Sequence, residues 1–111
     1  NGTQGFVLHP VDGGDPAVLL EDAPGVHPSF SPDGRTVLTD VYNYPESSRG
    51  AVLQIDLASA RREVLAAFDM PPLPHEHRVH PHPVWSRDGR RAYFNCAESG
   101  VAQLYAVELD G

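Results

Sequence analysis

His27-Pro-Ser-Phe-Ser-Pro-Asp-Gly-Arg35 returns 55 residues later as His82-Pro-Val-Trp-Ser-Arg-Asp-Gly-Arg90. Over the 14 positions that begin at His27 and His82, six are identical, and Phe30 is matched by Trp85. Each copy contains the parts of a tight hairpin. A short strand carries one large aromatic, and Asp33-Gly34 or Asp88-Gly89 supplies the backbone freedom of the turn. A second strand follows, Thr36–Val41 in one copy and Arg91–Asn95 in the other. Self-similarity at this period marks a repeat architecture.

Outside the hairpins the same pattern continues. Leu53, Ile55 and Leu57 alternate with Gln54 and Asp56, and Tyr105, Val107 and Leu109 alternate with Ala106 and Glu108, the period of two that a half-buried strand requires. Gly5–Val11 leads into Val11-Asp12-Gly13, an echo of Leu109-Asp110-Gly111. Ala17–Glu21 and Arg62–Ala66 are short apolar segments that complete the set. Ala58–Phe68 is the nearest approach to a helix, without convincing period or caps. The strand order is then third and fourth, first to fourth, and first to third of successive four-stranded units. Such units of about 45–55 residues are blades of a β-propeller. The expected fold is all-β, a partial propeller of about two and a half antiparallel blades. Residues 1–22 hold the last two strands of one blade and 23–68 a complete blade. Residues 69–111 hold a His/Pro-rich crossover and the first three strands of the next.

A closed propeller needs at least four blades, and unpaired strand edges are something natural proteins avoid. The expectation is therefore an excerpt of a longer chain, with several copies assembling into a ring as the other solution. The remaining blades, of the same chain or of a homo-oligomer, are the expected partners.

Composition narrows the function. The chain has 111 residues, 15 acidic and 8 basic, for a net charge of −7, and all eight basic residues are Arg. That balance argues against nucleic-acid binding, which needs a dense basic footprint. No apolar run approaches the ~18 residues of a membrane span. Cys96 is the single cysteine, so no internal disulfide can form. It reads as a buried small residue. No Gly-x-Ser-x-Gly elbow and no phosphate loop is present.

Chemistry concentrates in Met70-Pro-Pro-Leu-Pro-His-Glu-His-Arg-Val-His-Pro-His-Pro83, which holds four of the six histidines. Its prolines forbid helix and disfavour a central strand, so it should be an irregular crossover. Imidazoles at this density point to a divalent metal. His80 and His82, two apart, fall on one side of an extended backbone, and His77 can swing in from the loop. His27 and His82 stand at equivalent strand starts of adjacent blades, where a propeller converges on its axis. The candidate ligands are His27, His77, His80 and His82. An exposed linker with imidazoles bonded to backbone groups is the competing reading. Residues 76–91 carry a local charge of +2, and Arg78, inside the histidine cluster, is the candidate to pair a substrate carboxylate bidentately. Asp33 and Asp88 are turn residues, Phe30 and Trp85 should pack between blades, and Tyr42–Ser48 should be a loop on the opposite rim or outer edge.

The aromatic-Ser-Pro-Asp-Gly-Arg unit resembles the repeat of TolB-like propellers. His27-Pro-Ser-Phe-Ser-Pro-Asp-Gly with Thr39-Asp40, followed by His82-Pro-Val-Trp-Ser-Arg-Asp-Gly, more narrowly resembles the oligogalacturonate lyases. The lyase resemblance implies a carbon–oxygen lyase working by β-elimination on short uronate oligosaccharides, with an acidic oligosaccharide as substrate. It implies a divalent metal, manganese, held by His80 and His82, by His27 from the preceding blade, and at position 77. There His77 replaces the family's glutamine. The catalytic base would lie in an earlier blade. The other readings are a non-catalytic TolB-like propeller that binds protein or ligand, and the gating propeller of a prolyl-peptidase-like hydrolase. Cytoplasmic location is expected because no export signal is visible, with the periplasm as the alternative from TolB.

Overall fold

The computed structural model describes residues 5–42, 49–70 and 79–109 and contains only strands and turns among them. β1 (Phe6–Leu8) pairs with β2 (Ala17–Leu20). The second sheet runs β3 (Ser29–Phe30), β4 (Thr36–Tyr42), β5 (Arg49–Asp56) and β6 (Arg62–Asp69) in order. The third runs β7 (Val84–Trp85), β8 (Arg91–Cys96) and β9 (Gln103–Glu108). Every pairing is antiparallel between sequence neighbours. Two, four and three strands in that order are the partial propeller that the repeat predicts. Among the described residues no helix is long and apolar enough to cross a membrane.

The repeated hairpin explains its own identities. Ser31 Oγ donates to Asp33 Oδ1 at 2.6 Å while accepting from Thr36 N at 3.1 Å, and Asp33 Oδ1 also accepts from Arg35 N at 3.0 Å. Ser86 and Asp88 repeat each bond, at 2.7, 3.0 and 3.0 Å. Gly34 and Gly89 both take φ 73°, the left-handed region that a side chain disfavours. Serine, aspartate and glycine are thus fixed by hydrogen bonding and dihedral. Pro32 and Arg87 lie at the exposed corner and differ freely.

Ala58–Phe68 does not form a helix. The Asp56 carboxylate takes Ser59 N and Ser59 Oγ, both at 2.8 Å, and Ala60 turns left-handed at φ 62°. This turn sends the chain back along β5, where the ladder supplies the backbone partners a helix would have supplied.

Two cores lie between the sheets. Leu38, Val52 and Phe68 of the second sheet meet Ala92, Phe94 and Cys96 of the third, and Phe94 stacks between Phe68 and Tyr105 at 5.4 and 5.7 Å. Leu20 and Ala23 meet Ile55 on the opposite face. Trp85 packs against the first of these cores, and its indole N–H donates to Ser29 O at 3.2 Å, tying β7 to β3. Phe30 departs from expectation: it is 44% exposed. It shares the face of its register partner Val37, turned away from the third sheet, and the first sheet does not cover it. The accessible surface, 7502 Å², exceeds the roughly 6,000 Å² of a compact protein of this mass, and flanking Val18 and Leu104 are among the exposed apolar residues.

Candidate metal centre

His27 and His82 each stand two residues before the inner strand of their sheet, and β3 and β7 are neighbours. Their rings stack with centroids 3.5 Å apart and planes 29° apart. His80 joins them, 5.9 Å from the His27 ring and 6.1 Å from that of His82. One nitrogen of each residue lies within 4.8 Å of the other two. Ligands of one ion with bonds near 2.1 Å sit about 3–4 Å apart, so a small inward movement closes the set. Three of the four residues expected at the site are therefore together. His77, the fourth, and Arg78 lie outside the described residues.

The crossover achieves this through its prolines. Pro81 and Pro83 are fully buried, which leaves His80 and His82 exposed on the solvent side. Pro81 O also accepts Asn95 N–H at 2.9 Å, anchoring the segment to β8. The same-side placement is as expected, but the extended backbone is not: His82 has φ 43°. A residue with a side chain rarely adopts this region, least of all before proline. It is held there because the His82 N–H donates to Asp40 Oδ2 at 3.0 Å.

Asp40, on β4, is wholly buried. Its Oδ1 accepts the His27 backbone N–H at 3.0 Å, and its Oδ2 lies 2.9 Å from His27 Nδ1. The Tyr42 hydroxyl donates to the same oxygen at 3.2 Å and lies 3.1 Å from His27 Nδ1. Burial, and then the charge of Asp40, raises the Tyr42 phenol well above its ordinary pKa, so the hydroxyl remains a donor. Tyr42 thus closes β4 and enters the site, 5.1 Å from the His80 ring, and does not belong to the expected loop, whose other residues, 43–48, lie outside the described residues. Neither Asp40 nor Tyr42 stood out as a site residue in the sequence. The available signal was a lone carboxylate inside the apolar run Val37–Val41, which burial permits only with partners.

The donor set suits a divalent first-row metal. Imidazole is a ligand for such ions, and Nδ1 of His27 is occupied, which leaves Nε2 to face one. Arg91 pairs with Glu108 at 2.6 Å, a contact that raises the guanidinium pKa further, and Arg90 lines a separate groove with Trp85, Asp88 and Gly89. Cys96 is buried and its thiol pKa is raised by that burial, as a packing residue requires.

Comparison with known proteins gives the fold its context. No protein-family model matches the chain, and no curated protein matches it. Solved structures do. TolB from Acinetobacter baumannii aligns with a TM-score of 0.69 and 24% identity over 94% of this chain. A protein assigned as TolB from Agrobacterium tumefaciens gives 0.67 and 25% over 96%. Oligogalacturonate lyase from Vibrio parahaemolyticus gives 0.71 and 15% over 86%. The fold is a TolB-like β-propeller. This chain spans 24%, 35% and 26% of those three structures, so the propeller segment seen here corresponds to about a quarter to a third of each. The three sheets are its blades, and the histidines converge at the inner strand starts of adjacent blades.

Proposed function

We propose that this segment carries the metal centre of a lyase that cleaves short uronate oligosaccharides by β-elimination. The observation that carries the reading is the meeting of His27, His80 and His82 across a blade boundary, with their nitrogens within 4.8 Å of one another. The fold likeness to oligogalacturonate lyase supplies the substrate class. His27, His80 and His82 would hold the ion, with His77 as a fourth ligand. A divalent metal, when bound, acts as a Lewis acid on the substrate carboxylate and makes the proton on carbon 5 more acidic.

The chain's own residues bind and orient. His80 and His82 are exposed, so an acidic sugar can reach the centre from solvent. Arg78 is proposed to pair its carboxylate. A base from an earlier blade takes the carbon-5 proton, the bond from carbon 4 to the leaving oxygen breaks, a double bond forms between carbons 4 and 5, and the departing alkoxide takes up a proton. The outer faces of β2 and β9 are proposed to pack against further blades. Manganese is the ion that the resemblance names.

The double substitution His80→Ala, His82→Ala in the full-length protein is expected to abolish metal retention and the ultraviolet absorbance of unsaturated uronate product. Wild-type elimination by that variant would refute the lyase. Metal binding without elimination by the unmodified protein would favour a TolB-like binding role, which the two TolB likenesses support. Cytoplasmic placement draws no support from the comparisons. The TolB likeness favours the periplasm, which fractionation would check.

A further inference from the structure

We infer that Asp40 is the positioning residue of this centre, a single carboxylate that aims both His27 and His82 before any ligand arrives. The inference rests on reading the histidines as metal ligands. Asp40 is 0% exposed and accepts from the His27 backbone N–H, the His82 backbone N–H and the Tyr42 hydroxyl, and its Oδ2 lies 2.9 Å from His27 Nδ1. Among the described residues the one basic side chain within ion-pair distance of it is His27. An ionised carboxylate only accepts, so His27 Nδ1 carries the proton and Nε2 presents its lone pair. That tautomer is the one a metal takes, and a carboxylate behind a ligating imidazole both orients the ring and raises its basicity.

The repeat shows why this is more than a local contact. The position 55 residues beyond Asp40 is Asn95, which is exposed. The third blade therefore offers His82 no carboxylate of its own from that position. Asp40 reaches across the blade boundary instead, and its Oδ2 fixes the N–H of a residue whose φ of 43° places a non-glycine in left-handed backbone before a proline. One carboxylate thereby sets the ring of one ligand and the backbone of the other, and their rings stack at 3.5 Å.

Two measurements on the full-length protein test this. In the metal-free wild type, long-range proton–nitrogen NMR of the neutral imidazoles should show His27 as the Nδ1–H tautomer with a slowly exchanging ring proton. The Nε2–H tautomer would overturn the inference, and no substitution is needed to see it. Calorimetric titration with manganese and zinc should then show Asp40→Asn binding 10–100-fold more weakly than wild type, the loss typical of a removed carboxylate behind a ligand. Leu38→Ala weakens the same blade boundary without touching those hydrogen bonds, and its folded fraction should keep wild-type affinity. Equal losses in both variants would make Asp40 a packing residue and end the proposal, as would full affinity in Asp40→Asn. A wild type that binds neither ion refutes the metal reading, while the tautomer still decides whether Asp40 sets His27.

Discussion

Gly25→Ala should destabilise the protein far more than an ordinary glycine substitution, and should disturb the histidine site as well. Gly25 has φ 130°, and a Cβ built there stands 2.6 Å from Thr39 Cγ2 and 2.8 Å from Thr39 Cβ, and nearer still to Thr39 Oγ1. Thr39 is 0% exposed and sits on the β4–β5 ladder opposite Leu53, so it has nowhere to swing. The backbone conformation costs about 1–3 kcal/mol for a residue with a side chain. Forcing a methyl into a filled space adds about 1–3 kcal/mol. The sum, about 2–6 kcal/mol, is a large share of the 5–15 kcal/mol that typically holds a domain together. Gly34 provides the control: its φ is 73° but nothing lies within 4 Å of the added Cβ, so only the dihedral cost of about 1–2 kcal/mol applies. Urea denaturation of the two variants isolates the steric part. Thr39→Ala in the Gly25→Ala background removes the Oγ1 and Cγ2 contacts but not the Cβ one, so it should recover some of that part, giving a coupling of about 1 kcal/mol in a double-mutant cycle. The effect should reach the site, because Val26 N–H donates to Asp40 O at 3.1 Å and His27 is the next residue. Gly25→Ala no more costly than Gly34→Ala, or no coupling to Thr39, would refute the reasoning.

Other outcomes follow from the same geometry. Thr39 Oγ1 is buried without a hydrogen-bond partner among the described residues, so Thr39→Val should raise the unfolding free energy from urea denaturation by about 1 kcal/mol; a fall would show that the hydroxyl is satisfied. Leu38→Ala removes a wholly buried side chain from the boundary between the second and third blades and should cost about 2–5 kcal/mol by the same assay, a loss below 1 kcal/mol arguing that the blades do not pack there. The turn carboxylates give a pH signature. Asp33 is held below the usual carboxylate range by the Ser31 hydroxyl and the Arg35 N–H, and Asp88 by the Arg90 N–H and the Ser86 hydroxyl. Their folded pKa values lie below the unfolded ones, so the stability they add is present above about pH 4 and is lost as pH falls through the folded values. Asp33→Asn with Asp88→Asn should flatten the acid limb of a thermal-stability profile, and an unchanged limb would assign it to other groups.

The repeat itself was enough to give the blades. Ser31, Asp33 and Gly34 satisfy one another within six residues, and so do Ser86, Asp88 and Gly89, so a motif match is already a turn geometry. Alternation from Leu53 to Asp56 similarly lies in a strand, because a period of two matches the two faces of a sheet. Phe30 and Trp85, identical in motif position, part company only in space, since burial depends on what stands opposite each face. The histidines were legible as a cluster because three of the converging set carry their positions in the repeat or the His-Pro-His-Pro run.

Asp40 and Tyr42 were not, and the reason is physical. Only one donor to the Asp40 carboxylate is local, the Tyr42 hydroxyl two residues on: the others come from His27, 13 residues back, and from His82, 42 residues ahead. The His27 bonds form as β3 and β4 pair within one blade, but the His82 bond exists only after two blades pack on Leu38, Val52, Phe68 and Phe94, and the left-handed turn at His82 is held by the acceptor that packing delivers. Local spacing therefore determined the strands, the turns and the chemical character of the site, all of which arise from neighbours along the chain. The backbone of His82 and the meeting of the three imidazoles were decided by the blade boundary, because only there does the buried Asp40 carboxylate reach the His82 N–H.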